Sequence, residues 1–290
     1  MSKRLMAILT ALSLAVAACG GDGATDTTTT APDTTTPADE CALENLDLVN
    51  EGVLTAATGE PAFEPWVVDD DPTSQQGFEA AVIYAMAEEM GFTADQVTWT
   101  RIGFDEAIAP GPKNFDVNVQ QYSITDARDE VVDFSYPYYV TQQALVAFAD
   151  SAVTEATSLE ELKVYDLAAQ IGTTSLDYIE EIIRPDTAPA VYDTNSDAKS
   201  ALEAGQIDAI VFDLPTAYYI TAVEIPEAAI VGALPASEEQ ADRFGMLMEE
   251  GTALKPCVDR ALEALDNDGT LEALVDEWLQ QEGDIPELTP

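Results

Sequence analysis

The sequence has no histidine, and only 11 of its 290 residues are lysine or arginine, against 55 aspartates and glutamates. Because nucleic-acid-binding proteins need a basic surface, the formal net charge of −44 excludes that class. The same charge argues against electrostatic docking on an anionic membrane surface. GxSxG and HExxH motifs are also missing, and the commonest general acid–base residue is absent altogether. These absences argue against an enzyme.

The acidic residues are spread along the chain and are not collected in one tail. Such a charge keeps a protein soluble, but self-repulsion strains its compact state, and dissolved salt screens that repulsion. The composition therefore predicts a protein from a saline or saline-alkaline habitat. An ordinary acidic secreted protein is the alternative.

Long apolar runs are scarce. The longest, residues 5–18, follows Lys3 and Arg4 and is shorter than the ~18–20 residues that a membrane-spanning helix needs. Residues 1–18 are predicted to be a signal peptide. Because this segment contains two basic residues and no acid, only nine basic side chains remain in the mature chain.

Cysteine occurs only three times, as Cys19, Cys41 and Cys257. In an exported chain an even pair predicts a disulfide, so we expect Cys41 to be bonded to Cys257. Two free thiols are the alternative. Residues 19–40 are rich in Thr, Pro and Asp and have almost nothing to bury, which predicts a disordered tether.

Polar side chains replace apolar ones where a predicted strand, residues 115–119, ends. Gln121, Ser123 and Arg128 follow it, and ligands of open α/β sheets bind beyond the carboxyl ends of the strands. A guanidinium is scarce in this chain, and its planar fork matches a carboxylate. Arg128 is therefore a candidate ligand-binding residue. The alternative is a surface ion pair with a neighbouring acid, worth less than about 1 kcal/mol.

Arg128 also lies in a motif whose order and spacing resemble a known family. The motif is Ser123-Ile124-Thr125-x-x-Arg128, followed by Val132-Asp133-Phe134-Ser135-x-Pro137-Tyr138-Tyr139. It resembles the polar amino acid-binding proteins of bacterial ABC importers, solute-binding protein family 3, over about residues 53–279. The chain departs from the family pattern where Gln120 and Gln121 replace small residues.

The resemblance implies which residues hold a ligand. In the family, an arginine at the position of Arg128 holds the ligand's α-carboxylate together with a loop matching Thr173 and Thr174. An aspartate at the position of Asp213 holds the ammonium group. Aromatic residues stack on the ligand, and an acid at the position of Glu60 meets its side chain. The predicted ligand-binding residues are Glu60, Phe63, Phe104, Gln121, Ser123, Arg128, Thr173, Thr174 and Asp213.

The residues alone leave alternatives open for several of these positions. Taken alone, Phe63 and the nearby Trp66 are expected to be core or staple residues, and it is the resemblance that places Phe63 in the pocket. Thr173 is a natural N-cap, and Asp213 can cap the helix that follows it. The sequence Val16-Ala17-Ala18-Cys19 resembles a bacterial lipobox, which implies lipidation at Cys19; an incidental cysteine after a plain signal peptide is the alternative.

The predicted fold is α/β and two-lobed, like type II periplasmic binding proteins, with two crossover hinge segments and a ligand cleft between the lobes. Residues 41–140 and 241–290 are assigned to lobe 1 and residues 141–240 to lobe 2, with hinges near Val140 and Gln240. We expect mostly parallel sheets, continuous strands at 140–147 and 243–249, and a loose tail after Gly283.

The resemblance implies an extracytoplasmic solute-binding lipoprotein, held at the cell membrane through Cys19. It would be a monomer that captures a polar amino acid or similar zwitterion by hinge closure and delivers it to ABC permease and ATPase subunits. No cofactor and no metal are implied. Alternatives are an ectoine-type osmolyte binder, a cyclohexadienyl dehydratase-like enzyme that uses a carboxylate such as Glu60, and a sensor or lectin-like adhesin without a transporter.

Overall fold

A computed structural model describes residues 40–236, 241–279 and 285–290. The predicted signal peptide, Cys19 and almost all of the predicted tether lie outside the described residues, as does the hinge position Gln240. Within the described ranges, no helix combines the length and the apolar character needed to cross a membrane.

The described residues contain twelve strands. In chain order they are β1 (Leu54–Thr58), β2 (Val97–Arg101), β3 (Val117–Asn118), β4 (Asp133–Phe134), β5 (Tyr139–Thr141), β6 (Gln143–Phe148), β7 (Leu167–Gln170), β8 (Ala190–Tyr192), β9 (Ala209–Asp213), β10 (Ala228–Ala233), β11 (Asp242–Phe244) and β12 (Leu247–Met248).

The same residues contain nine α-helices. They are α1 (Phe78–Glu89), α2 (Phe104–Ile108), α3 (Asp126–Asp129), α4 (Leu159–Leu162), α5 (Thr174–Asp177), α6 (Asn195–Glu203), α7 (Leu214–Tyr219), α8 (Lys255–Asn267) and α9 (Thr270–Trp278). Helices α5 and α7 continue as π-helical segments, Tyr178–Ile183 and Ile220–Glu224.

The first sheet has the strand order β2-β1-β3-β12-β4. Strand β1 is buried along its whole length and pairs in parallel with β2 and β3, as its βαβ sequence pattern predicts. Strand β12 pairs antiparallel with β3 and β4, because the chain returns to this sheet from the opposite direction. Four of the five strands therefore run in the same direction and β12 is the antiparallel one, so the prediction of a mostly parallel sheet is confirmed here.

The second sheet has the order β10-β6-β9-β7-β8 and is mixed as well. Strand β7 is parallel to β8 and β9, while β6 is antiparallel to β9 and β10. Apolar residues pack on both faces of this sheet, which explains the continuous apolar composition of β6 and β9.

The two crossover segments pair with each other as a small antiparallel sheet, β5 with β11. Each of the two strands predicted here as continuous is in fact divided. Residues 140–147 are divided into β5, which belongs to this pair, and β6, which belongs to the second sheet. Residues 243–249 are divided into β11, which belongs to this pair, and β12, which belongs to the first sheet. The breaks occur because the chain must turn from one sheet toward the other. The result is a two-lobed architecture with two connecting strands.

Helices α1, α8 and α9 cover the first sheet. Helix α8 buries Cys257, Val258, Ala261, Leu262 and Leu265, a spacing that places them on one face of the helix. The predicted disulfide is present: Cys41 is bonded to Cys257, with 5.4 Å between the Cα atoms. It attaches the segment before β1 to helix α8.

The end of the chain is not loose, contrary to our prediction. The backbone N–H of Leu288 donates to the Ala233 carbonyl, and the N–H of Ala233 donates to the Pro286 carbonyl, both at 2.9 Å. The Leu288 side chain is buried among residues of the second sheet's core. Residues 285–290 thus pack on the second sheet, although we assigned them to lobe 1. Leu288, an apolar residue in a mostly polar tail, was the sequence signal for this packing that our prediction overlooked.

Candidate ligand-binding site

A cavity of about 340 Å³ lies between elements of the two sheets. Its lining comes from segments that follow strands β1, β2, β3, β7, β8 and β9, as expected for an open α/β fold. All nine residues predicted to bind a ligand line this cavity: Glu60, Phe63, Phe104, Gln121, Ser123, Arg128, Thr173, Thr174 and Asp213. Their roles in binding stay a prediction.

Arg128 points inward and does not form a surface ion pair. It is 9% exposed, whereas the neighbouring acids Asp126 and Asp129 are exposed. Its Nη1 donates to the Ser123 carbonyl at 2.6 Å, and its Nη2 donates to the Gly172 carbonyl at 2.9 Å. Burial lowers the pKa of this guanidinium, but arginine stays charged in proteins. Two of its five N–H groups are used, so others remain for an anion in the cavity.

Asp213 occupies the N-cap position of helix α7, but its side chain does not cap the helix. Its Oδ1 instead accepts a hydrogen bond of 2.8 Å from Nε2 of Gln143. The same nitrogen donates to Oδ2 of Asp242, also at 2.8 Å. Burial, followed by repulsion from Asp242, raises the pKa of Asp213 to about 8. A cation near Asp213 would favour its ionised form.

A hydrogen-bonded network connects Arg128 with Asp213. The Ser123 and Thr174 hydroxyl oxygens are 3.3 Å apart, and Gln143 Nε2 reaches Thr174 Oγ1 at 3.5 Å. Because Arg128 donates to Ser123 and Gln143 donates to Asp213, one continuous polar wall runs from the guanidinium to the carboxylate. Opposite charges therefore face a single cavity from the two lobes.

Aromatic rings form part of the wall. Phe104 stacks on Tyr122 with centroids 4.7 Å apart and planes inclined by 20°, and the guanidinium carbon of Arg128 lies 5.4 Å from the Phe104 centroid. Phe63 has the ammonium nitrogen of Lys199 at 5.4 Å from its centroid. Trp66 is 1% exposed, packs against Phe78 and Phe244, and still borders the cavity. Trp66 is thus both a core and a lining residue.

Gln121 has a left-handed backbone, with φ of 52°. This conformation is unfavourable for residues other than glycine, and observed outliers of this kind cluster at binding sites. Buried Glu79 holds it: Oε1 accepts from the Gln121 N–H at 2.7 Å and Oε2 from the side-chain Nε2 at 2.5 Å. Tyr138 donates to the same carboxylate, and burial raises the pKa of Glu79 to about 7.

Charge in the cavity is strongly unbalanced. Among the described lining residues, Arg128 is the only base, and five residues are acidic: Glu60, Asp105, Glu106, Asp193 and Asp213. Glu60 is exposed at the cavity surface. This distribution disfavours ligands with a net negative charge.

Sequence reasoning missed Glu79, Gln143 and Asp242. Each is a buried polar residue, and burial requires such a group to have partners. A polar residue beside apolar neighbours was visible in the sequence for Glu79, which opens an apolar helix, and for Gln143, which opens an apolar strand. Asp242 lies in a polar segment and gave no such signal.

The fold and this cavity define a two-lobed binding protein of the periplasmic type II class. The family model for bacterial extracellular solute-binding proteins, family 3, matches residues 55–281, and the chain belongs to that family. The resemblance inferred from the Arg128 motif is confirmed.

Individual proteins of known name or structure agree with this membership. The chain is 25% identical to the L-cystine-binding protein TcyJ of Escherichia coli (strain K12), over 76% of this chain and 80% of the relative. An ancestral arginine-binding protein bound to arginine has a TM-score of 0.66 and 26% identity, covering 79% of this chain and 98% of that one.

A second solved structure is an ancestral amino acid-binding protein, a precursor of cyclohexadienyl dehydratase, with a TM-score of 0.65 and 26% identity. It covers 79% of this chain and 95% of that one. The protein described here thus belongs to a family of amino acid-binding, extracytoplasmic components of ABC transporters.

Proposed function

We propose that this protein captures a polar amino acid, or a zwitterion of similar size, and delivers it to an ABC permease. The observation that supports the proposal most directly is that Arg128 and Asp213, from opposite lobes, line one cavity and are connected by the network through Ser123, Thr174 and Gln143. A molecule with a carboxylate at one end and an ammonium at the other can pair both groups.

Arg128 with Thr173 and Thr174 would hold the carboxylate, and Asp213 would hold the ammonium. Charges in a closed, dry cleft must each be paired, so this arrangement selects a zwitterion over a simple salt. Gln121 and Ser123 would complete the hydrogen bonds. A micromolar affinity requires about −8 kcal/mol, which two charged anchors and apolar contact can supply after ordering costs.

Phe63 and Phe104 would contact the body of the ligand. Phe104 already stacks on Tyr122, so we expect the ligand at a remaining part of its surface. Glu60 and the acidic lining favour a cationic or amide side chain over an acidic one. That two of the similar proteins bind cystine and arginine, by their names, is consistent with a polar amino acid.

Capture would proceed by a hinge motion in the paired crossover strands β5 and β11, with lobe boundaries near residues 140 and 240. Three hydrogen bonds support a closed arrangement. Trp66 Nε1 donates to Thr216 Oγ1 at 3.0 Å, Arg128 bonds Gly172, and Ser123 bonds Thr174. Each joins an element of the first sheet to one of the second, so opening would break all three.

The same proposal includes attachment to the cell membrane. Cys19 would carry lipid, and residues 19–40 would form the tether that lets a monomer reach the permease. Several acyl chains give stable anchoring, whereas one chain gives only marginal binding. Metabolic labelling with a fatty acid, compared between the natural chain and Cys19→Ala, tests this part. Unchanged labelling of the variant would contradict it.

An osmolyte such as ectoine is the second candidate ligand, because it is also a zwitterion and the chain is very acidic. Calorimetry against the twenty amino acids, ectoine and betaine distinguishes the two. We expect the tightest binding from one polar or cationic amino acid, and its loss in Arg128→Ala. If only ectoine binds tightly, the ligand is the osmolyte and the proposed amino acid ligand is wrong. Turnover of prephenate without amino acid binding would refute a transport role.

A further inference from the structure

Two carboxylates share one amide group at the inner end of the cavity. Gln143 is 3% exposed and donates from a single nitrogen to both Asp213 and Asp242, at 2.8 Å each. Its amide oxygen accepts from the Ser175 hydroxyl at 2.5 Å, which fixes the direction of the amide. Asp213 lines the cavity, whereas Asp242 is 8% exposed and stands behind it.

Gln143 and Asp242 lie in or next to the strands that connect the lobes. Gln143 begins β6 of the second sheet, two residues after the end of the crossover strand β5. Asp242 begins β11, where it pairs with Thr141 of β5. The Asp213 carboxylate is therefore bonded through Gln143 to a charged residue of the hinge pair.

We propose that Asp242 is the second carboxylate of the ammonium site, acting on Asp213 through Gln143 to set the affinity and pH dependence of ligand capture. Asp242 does not line the cavity, so it is a positioning residue and not a direct ligand. The inference rests on the proposed function, in which Asp213 receives an ammonium group.

The charges around Asp213 support this role. Asp242 of β11 and Glu79 of α1 repel its negative form, while Arg128 and the Gln143 hydrogen bond stabilise it. The buried hydroxyl of Tyr138, bonded to Glu79, also interacts with Asp213, and Asp177 of α5 interacts with Asp242 and Arg128. The repulsion between two acids bridged by one amide favours the protonated form of Asp213 while the cavity is empty. An ammonium beside Asp213 would favour its ionised form.

The sign of the pH effect follows. Because burial and Asp242 raise the pKa of Asp213 to about 8, the empty site carries a proton at neutral pH that an incoming ammonium must displace. Affinity should then rise with pH, by about tenfold from pH 7 to pH 9, before correction for the ligand's own ammonium. Without Asp242, the pKa of Asp213 falls. If that pKa falls by one unit, the affinity should increase only about twofold from pH 7 to pH 9.

The first experiment measures binding of L-arginine and of L-glutamine by calorimetry across this pH range at constant salt. Comparing Asp242→Asn with the natural chain cancels the titration of the probe itself. Asp150→Asn is the matched control, since Asp150 is exposed and distant in the fold, at the end of β6. A flattened pH profile in Asp242→Asn alone is expected, and an unchanged profile would overturn the proposal.

The second experiment needs no ligand. Carboxyl ¹³C NMR on aspartate-labelled protein follows the Asp213 titration, with Asp213→Asn identifying its signal. Asp242→Asn should lower the midpoint by about half a pH unit or more, because a repelling charge is removed. Gln143→Met should raise it, since a hydrogen bond to the anion is lost, and it covers the case in which Asp242→Asn does not fold.

A midpoint that stays unchanged in Asp242→Asn would refute the role of Asp242. If the midpoints move as expected while no amino acid binds, the coupling of the two carboxylates stands and the proposed function fails. The two failures are thus distinguishable.

Discussion

Replacing Arg128 with alanine removes the only base among the described residues that line the cavity. Truncating one partner of a buried, hydrogen-bonded charge pair costs about 2–5 kcal/mol, so a bound amino acid should be held at least about thirtyfold more weakly. The Ser123 and Gly172 carbonyls also lose a donor. That loss costs about 1–3 kcal/mol of stability per group, about 2–6 kcal/mol for both, and lowers the melting temperature by roughly 4 °C or more.

The assay separates lost recognition from lost structure by using a ligand without the carboxylate. For L-arginine this analogue is agmatine, its decarboxylated amine. If calorimetry selects another amino acid as the ligand, the amine formed by its decarboxylation is used instead. The natural chain should prefer the amino acid by about thirtyfold or more, and Arg128→Ala should bind both compounds equally. Arg184→Ala, which changes an exposed arginine, serves as the control. A variant that retained a tenfold preference would refute the assignment of the carboxylate to Arg128.

Three further predictions concern specificity, stability and salt. Gln121→Gly relieves the left-handed strain but loses a bond to Glu79, so stability should change by less than about 1 kcal/mol while selectivity among amino acids falls; unchanged selectivity in a calorimetric panel would contradict this. Replacing Cys41 and Cys257 by serine should cost about 2–5 kcal/mol in urea unfolding, and a cost near zero would show that the bond contributes little. Molar NaCl should raise the melting temperature by screening the charge of −44, and a flat salt titration would argue against a saline habitat.

Short-range patterns predicted much of the fold. The sequence pattern predicts strands at 52–57, 96–102, 190–192 and 208–212. Strand β8 has the predicted bounds, and β1, β2 and β9 differ from theirs by one or two residues at each end. Burial of alternate or continuous apolar residues determines such strands locally. Residues 115–119, predicted as one strand, are all buried. Only Val117–Asn118 of this segment form a regular strand, β3.

Features that depend on distant contacts were not predictable from local pattern. Gln143 and Asp242 are 99 residues apart in sequence, and their contact follows from the pairing of β5 with β11. The division of the crossover strands has the same origin. Neither the spacing nor the hydrophobicity of residues 140–147 indicates that the chain changes sheets after Thr141.

The candidate site could be predicted only through the family resemblance of the Arg128 motif. Composition alone left Arg128 open to surface pairing with Asp126 or Asp129, and only its burial excludes that alternative. Asp213 is similar: its N-cap position is real, but its side chain bonds Gln143. Local sequence determined where these residues lie, and tertiary packing determined which way their side chains turn.

The docked C-terminal segment would limit how far the two lobes separate in the proposed hinge motion. Helix α9 ends on the core of the first sheet, and residues 285–290 pair with β10 of the second. Six peptide links join Leu279 to Ile285, and a fully extended chain of that length reaches about 20 Å. A wider opening would have to remove Leu288 from the core of the second sheet and break its hydrogen bond to Ala233. Residues 285–290 would therefore restrict the motion of the lobe on which they pack.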